Sequence, residues 1–124
     1  MRDDDHWDGT HPEDVLPAED ESRFAEWQVL LEETIGFGRD SYRWVLTRVL
    51  PCDDRDAARR SAYKMAQEYR PEHPMSPRGR RVFQIGIDTW LVEVTGATAD
   101  FHFRVSAARL MDVRDKKGES LLEG

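Results

Sequence analysis

The segment between Arg80 and Ser106 constrains the fold of this chain most, because its apolar residues alternate with other residues. Successive side chains of a β-strand point to opposite faces of the sheet, so this period of two predicts strands. Two short connections, at 88–89 and 96–99, divide the segment into a three-stranded antiparallel meander. The alternating apolar residues are Phe83, Ile85, Ile87, Trp90, Val92, Val94, Phe101, Phe103 and Val105.

The lengths of the two connections also predict the register of this meander. The first connection predicts the pairs Ile87–Trp90, Ile85–Val92 and Phe83–Val94. The second connection predicts the pairs Trp90–Val105, Val92–Phe103 and Val94–Phe101. All of these pairs are apolar, and a slip of one residue would turn each apolar side chain to the other face.

Helices are predicted on both sides of the meander. The spacing of Phe24, Trp27, Leu31 and Ile35 predicts a first helix over 21–35, and a second is expected over about 40–50. A third is expected from an Asp53 cap to about Tyr69. The predicted fold class is therefore α+β, with N-terminal helices packed on the three-stranded antiparallel β-meander and a short C-terminal helix over 107–113. The aromatic residues expected in the core are Trp27, Trp44, Trp90, Phe83, Phe101 and Phe103.

The length of 124 residues is typical of one domain. We predict a flexible acidic arm over 1–19, a single domain over 20–113 and a flexible tail over 114–124. Residues 1–22 carry nine acidic residues and one arginine, a net charge of −8, whereas 17 basic and 16 acidic residues leave the remainder at +1. The arm has too few apolar residues to offset the entropy lost on ordering.

The composition also predicts the cellular compartment. The chain begins without a basic-then-apolar signal segment, and no apolar run is long enough to cross a bilayer. Its single cysteine, Cys52, excludes an internal disulfide bond. Arginine outnumbers lysine fifteen to three and asparagine is absent, which is typical of GC-rich bacterial genomes. We therefore expect a cytoplasmic bacterial protein.

Polar residues on the second face of the predicted meander form the first candidate site. In the predicted register Gln84, Glu93 and His102 form one row across the strands, and Leu91 and Arg104 belong to the next row. A carboxylate beside an imidazole favours its protonated form, so Glu93 and His102 could act as acid and base or hold a small ligand. Such pairs also stabilise exposed sheet faces without any catalytic role. We predict that these five residues contact a partner.

Basic residues on the third helix and at the start of the meander form the second candidate site. A nucleic-acid backbone requires a local excess of positive charge, which such a cluster could supply. The nearly neutral body and the acidic arm argue against this function, and Asp56 and Arg60 form an i,i+4 pair typical of a solvated helix face. The predicted patch consists of Arg55, Arg59, Arg60, Lys64, Arg78, Arg80 and Arg81.

The sequence contains no recognisable catalytic or cofactor motif. Gly36-Phe37-Gly38 lacks the third glycine and the lysine of phosphate-binding loops. Asp53 and Asp54 oppose the ionisation that would make Cys52 a nucleophile. Asp4, His6, Asp8 and Gly9 have the spacing of a calcium loop, but His6 replaces an expected carboxylate or amide and Val15 stands where the bidentate glutamate belongs. One cysteine does not match the usual zinc spacings. We therefore predict no enzyme activity, no cofactor and no metal.

These observations favour a non-catalytic protein–protein interaction module, such as an adaptor, a small regulator or an immunity-type inhibitor. Its uneven charge suits electrostatically guided association with a protein partner. One alternative is a nucleic-acid-associated regulator that uses the third helix and Arg78–Arg81. Another is a small-ligand binder or minor enzyme that uses Glu93, His102 and Arg104. A homodimer through the first or third strand of the meander is a further possibility, and no membrane partner is expected.

Overall fold

A computed structural model of the chain describes residues 21–36, 43–71, 77–97 and 99–122. Within these ranges the chain forms one antiparallel sheet of five strands and one α-helix, and a 3-10 turn (Glu21–Phe24) leads into the first strand. The elements in chain order are β1 (Trp27–Ile35), β2 (Arg43–Cys52), α1 (Arg55–Glu68), β3 (Gly79–Gly86), β4 (Thr89–Thr95) and β5 (Asp100–Arg109).

The strands lie in the order β2-β1-β5-β4-β3, so the last strand of the chain returns to the centre of the sheet. Strands β2 and β3 form the two edges, and β1 pairs with both β2 and β5. Helix α1 packs across one face, over β1, β4 and β5. We call the opposite face, which α1 does not cover, the open face.

The predicted first helix is wrong, because residues 27–35 form the interior strand β1, between β2 and β5. Apolar residues in this segment fit both periods, since Trp27, Val29 and Leu31 also alternate. Val29 and Leu31 are fully buried against α1, whereas Glu32 on the other face pairs with an arginine of β5. Burial of the alternating residues therefore outweighs the helical spacing in this segment.

The predicted second helix is also wrong, because residues 43–52 form the edge strand β2. A β-bulge at Thr47 explains the helix-like spacing, since Leu31 pairs with Arg48 and Glu32 pairs with Leu46. The extra residue places Leu46 and Val49 on the same face although they are three positions apart. A bulged strand can therefore imitate the spacing of a helix.

The predicted C-terminal helix is wrong as well, because β5 continues to Arg109. Ala107 is nearly buried and pairs with Val29 of β1, so it contributes to the sheet rather than to a helix. The residues that follow form a turn closed by a bridge between Arg114 and Ser120. Gly118 supplies a backbone φ of 90° in this turn, a conformation that favours glycine.

The predicted third helix is confirmed as α1. Its cap is Asp54 rather than Asp53, and the Asp54 carboxylate accepts a hydrogen bond of 2.8 Å from the Ala57 amide. The buried face of the helix consists of Ala58, Ala62, Met65 and Ala66. These small side chains allow the helix to lie close to the sheet.

The predicted meander is confirmed for one of its two hairpins. Strands β4 and β5 pair in the expected register, with the pairs Trp90–Val105, Val92–Phe103 and Val94–Phe101. In contrast, β3 is displaced by three residues from its predicted register on β4, because Gln84 pairs with Trp90 and a bulge follows at Ile85. Because side chains alternate between faces, a displacement by an odd number of residues moves every side chain of β3 to the face opposite to the predicted one. Phe83 therefore lies on the open face and not in the core.

The core lies between α1 and the sheet, and only some of the predicted aromatic residues belong to it. Phe103 is fully buried and Trp90 nearly so, and the half-buried Trp27 packs against the edge of the buried cluster. Phe101 is also half-buried. Trp44 and Phe83, which are 43% and 42% exposed, lie on the open face instead.

Candidate interaction surface

The open face carries two neighbouring rows of side chains that run across all five strands. The first row, from β2 to β3, consists of Leu46, Glu32, Arg104, Leu91 and Phe83. The second row consists of Trp44, Thr34, His102, Glu93 and Arg81. The charged groups lie on β1 and β5 in the first row and on β5, β4 and β3 in the second row. In both rows the residue on β2 is apolar. We refer to them together as the paired rows.

An arginine–glutamate pair occupies the centre of the first row. Arg104 donates two hydrogen bonds to Glu32, from Nε to Oε1 at 2.9 Å and from Nη2 to Oε2 at 3.2 Å. These bonds to Glu32 raise the pKa of Arg104 above its ordinary value. The Arg104 guanidinium also lies 4.7 Å from the centre of the Trp44 ring. Trp44 is therefore held against the sheet by a cation–π contact although it is exposed.

A carboxylate with two basic neighbours occupies the second row. Arg81 Nε donates to Glu93 Oε1 at 2.8 Å, and His102 Nε2 lies 3.8 Å from Glu93 Oε2. The hydrogen bond from Arg81 lowers the pKa of Glu93, and the charges of Arg81 and His102 lower it further, whereas desolvation opposes them. Glu93 is thus stabilised as an anion, which makes it a poor general acid near neutral pH.

Apolar side chains remain exposed on both sides of these charged groups. On β2, Leu46 and Val49 are 52% and 46% exposed, beside the exposed Trp44. On β3, Phe83 is exposed and lies beneath the Arg81 guanidinium, 5.3 Å from the ring centre. The open face therefore combines a charged centre with apolar flanks.

Four of the five predicted partner-binding residues come together on this face. Leu91, Glu93, His102 and Arg104 occupy adjacent positions of the paired rows, as the register of β4 and β5 requires. Gln84 is separated from them because it pairs with Trp90, whose side chain points toward α1. The shifted register of β3 is the reason for this separation.

Sequence reasoning missed several residues of the open face. Glu32, Trp44 and Leu46 were assigned to helices, so their position beside Arg104 was not foreseen. Phe83 was assigned to the core, and Arg81 to a basic patch. Alternation of Trp27, Val29 and Leu31 with Gln28 and Glu32, interrupted only by Leu30, is the signal that could have identified β1 as a two-faced strand.

The structure does not gather the seven predicted basic-patch residues on one surface. Arg55 and Arg59 both pair with Asp88, at 3.0 and 2.7 Å, and so attach α1 to the turn between β3 and β4. Arg80 donates to the carbonyl oxygens of Ala66 and Tyr69 at the end of α1. Arg81 points to the open face. The other three residues, Arg60, Lys64 and Arg78, lie along α1 and just before β3.

The remaining candidates for chemistry occupy unfavourable surroundings. Burial raises the pKa of the half-buried Cys52 thiol, and the nearby Asp53 and Asp54 raise it further, although a hydrogen bond with Ser61 opposes them. No group of three or more His, Cys, Asp or Glu side chains that could hold a metal occurs in the part of the chain that the structure describes. None of the described helices is long and apolar enough to cross a bilayer.

Comparison with known proteins adds no assignment. No family model matches this chain, and neither a curated protein nor a solved structure matches it. The function must therefore be inferred from the surface itself.

Proposed function

We propose that this chain is a non-catalytic protein-binding module and that the open face is its contact surface. The observation that carries the proposal is the grouping of exposed apolar side chains, Trp44, Leu46 and Phe83, around the charged centre of one sheet face. A sheet face is normally either covered by a second layer or polar toward water. Exposed apolar groups that cluster on one face are typical of interaction sites.

The charged centre suits contact with a protein for a second reason. Glu32 and Glu93 already have arginine partners, so a partner surface would meet groups whose charges are largely balanced. Tryptophan and arginine are also the residues that most often dominate binding energy at protein interfaces. Trp44 and Arg104 are in direct contact on this face, and we expect them to contribute much of the binding energy.

The charge of the chain supports a basic partner. Residues 1–22 carry a net charge of −8, whereas the rest of the chain carries +1. A strongly acidic segment attracts a basic protein surface over long range and raises the association rate at low salt. The expected partner therefore has an apolar patch to contact the flanks of the open face and basic residues around it.

A variant that places charges on both apolar flanks tests the proposal. Leu46→Lys with Phe83→Lys adds two charges at exposed positions, so the fold should tolerate them. Wild type and this double variant would be used to capture proteins from lysates of the source cells, one treated with nuclease and one untreated. Affinity would then be measured with the purified partner. We expect the double variant to bind the partner at least about a hundredfold more weakly.

Ile87→Lys is the matched control, because Ile87 is 70% exposed but lies in the turn between β3 and β4. It should bind the partner as wild type does. A partner that binds the double variant and wild type equally well would contradict the proposal. Capture that disappears on nuclease treatment would instead favour the nucleic-acid-associated alternative.

A further inference from the structure

A groove of about 620 Å³ lies at one end of the open face, apart from the paired rows. Its floor is formed where β1 begins and where β2 and β5 end, with Gln28 of β1 between Pro51 and Ala108. Its walls are Arg23 from the 3-10 turn and the residues that follow β5, Leu110 to Asp112. A volume of this size lies within the range of roughly 300–1,000 Å³ that is typical of small-molecule sites.

The interior of the groove is mainly apolar. Its apolar lining consists of Leu30, Val49, Pro51, Ala108, Leu110 and Met111. The segment after β5 is attached to the sheet because the Leu110 amide donates a hydrogen bond of 2.7 Å to the Glu26 carbonyl. The apolar wall is therefore held in place by the backbone.

The charged groups around the groove leave one cation without an acidic partner. Arg109 pairs with Glu26 at 2.8 Å, and Asp112 accepts hydrogen bonds from Arg114 and Ser120. Arg23 has no carboxylate partner among the described residues, and its guanidinium lies 5.5 Å from the Phe24 ring centre. Among the described charges that line the groove, that of Arg23 is therefore the one that remains to attract a ligand.

The backbone of Arg23 is held in position by the buried side-chain amide of Gln28. Gln28 is only 6% exposed, and its Nε2 donates to the carbonyl oxygens of Arg23 and Ala25 at 3.0 and 2.9 Å. These two bonds attach the 3-10 turn to β1 at the floor of the groove. The backbone of Arg23 is thus held beside an apolar cavity before any ligand arrives.

We propose that this groove binds a small carboxylic acid with an apolar body. The carboxylate would accept hydrogen bonds from the Arg23 guanidinium, and the apolar body would lie between the walls of the groove. This site is distinct from the paired rows, and Arg104, Glu93 and His102 are not part of it. Its failure would leave the protein-binding role of the open face unaffected, because Leu46 and Phe83 do not line the groove.

Octanoate is a suitable probe, with octan-1-ol as a neutral ligand of the same chain length. The amide signals of the full ¹⁵N-labelled chain would be followed by NMR during titration with each compound. We expect octanoate to shift the signals of Leu30, Val49 and Ala108. Hexanoate should bind more weakly by roughly fourfold for each methylene group it lacks, because each buried methylene contributes about that factor.

Three variants separate the charge from the cavity. Arg23→Gln should weaken octanoate binding about fivefold and leave octan-1-ol binding unchanged, since an exposed ion pair contributes about that factor. Ala108→Phe should abolish binding of both compounds by filling the groove. Arg60→Gln removes a charge from α1 and should change neither affinity.

Several outcomes would overturn the proposal. One is an absence of octanoate binding below the concentration at which it forms micelles. Another is octanoate binding that Ala108→Phe does not affect, which would place the ligand elsewhere. Equal affinity for octanoate and octan-1-ol, or equal losses from Arg23→Gln and Arg60→Gln, would refute the role of Arg23 in selecting a carboxylate.

Discussion

Two adjacent arginines of β3 provide a direct test of how this strand is placed. Arg80 points toward α1 and donates to the carbonyl oxygens of Ala66 and Tyr69, at 3.0 and 2.7 Å. Arg81 points to the open face, where it pairs with Glu93 and is 69% exposed. Arg80→Met and Arg81→Met each remove a guanidinium and keep most of the aliphatic side chain.

The two substitutions should differ in cost because the two guanidinium groups differ in surroundings. Burial lowers the pKa of Arg80, and the charge of Arg70 lowers it further. A hydrogen bond from a charged donor contributes about 1.5–3 kcal/mol, and two that share one guanidinium do not add fully. We therefore expect Arg80→Met to lower the free energy of unfolding by about 2–3 kcal/mol. An exposed pair such as Arg81–Glu93 contributes much less, because water screens the attraction between the two charges.

Urea unfolding followed by tryptophan fluorescence measures both costs. With a slope of about 2 kcal/mol per molar urea, Arg80→Met should move the midpoint down by about 1–1.5 M. Arg81→Met should move it by less than about 0.5 M at the same slope. A change in slope would indicate that the unfolding transition itself had changed, so only midpoints at equal slope are compared.

Equal losses, or a larger loss for Arg81→Met, would refute this account. In the register predicted from the sequence, Arg81 faces the helix and Arg80 faces away from it. The order of the two losses therefore distinguishes the register of the structure from the register predicted by alternation.

Three further outcomes are expected from the same unfolding measurements. Asp54→Ala should lower the free energy of unfolding by about 1 kcal/mol because Asp54 caps α1, whereas Asp53→Ala should lower it by less than about 0.5 kcal/mol. Equal losses would contradict the assignment of Asp54 as the cap. Phe103→Ala should cost about 3–5 kcal/mol because Phe103 is fully buried, and a similar cost for the exposed Phe83→Ala would contradict the assigned faces. The pKa of Glu93 is lowered in the folded protein, so its contribution is present at neutral pH and lost as the pH falls through that pKa. Glu93→Gln should therefore be more destabilising at neutral than at acidic pH, and a cost that does not vary with pH would refute this.

Alternation predicted one hairpin correctly and the other incorrectly for a physical reason. Between β4 and β5 the predicted pairs match the apolar face that α1 covers. In β3, the pattern does not decide which face is buried, because the neighbouring residues Val82 and Phe83 are both apolar and point to opposite faces. Contacts between residues distant in sequence stabilise the observed orientation of β3. Arg80 reaches the end of α1, and Asp88, in the turn after β3, binds Arg55 and Arg59. Hydrophobic pattern alone contains none of this information.

The prediction of N-terminal helices failed because the apolar spacing of these segments fits a strand as well as a helix. The spacing of Leu46 and Val49 suggested a helix, but the bulge at Thr47 produces the same spacing in a strand. Such a bulge is visible only once the partner strand is known. In contrast, α1 was predictable because its alanine-rich stripe and its aspartate cap agree with each other.

The candidate surface was predictable only in the part that local pairing determines. Glu93 and His102 were expected to be neighbours because they follow from the register of β4 and β5. Glu32 is separated from Arg104 by 72 residues, so their pair depends on the position of β1 beside β5. That position follows from the order of strands in the sheet, which the sequence pattern did not reveal.

The arrangement of the open face fits the proposed interaction surface better than it fits an incomplete core. A face waiting for a second layer would be apolar at its centre, where burial is deepest. Here the centre carries the Arg104–Glu32 pair on β5 and β1 and Glu93 on β4, whose partner Arg81 reaches it from the edge strand β3. These partly exposed pairs can remain in water at little cost. The apolar groups lie at the margins, on Trp44 and Leu46 at one side and Phe83 at the other. Such a face can be exposed in the free protein and still exclude water when a partner covers it, as reversible association requires.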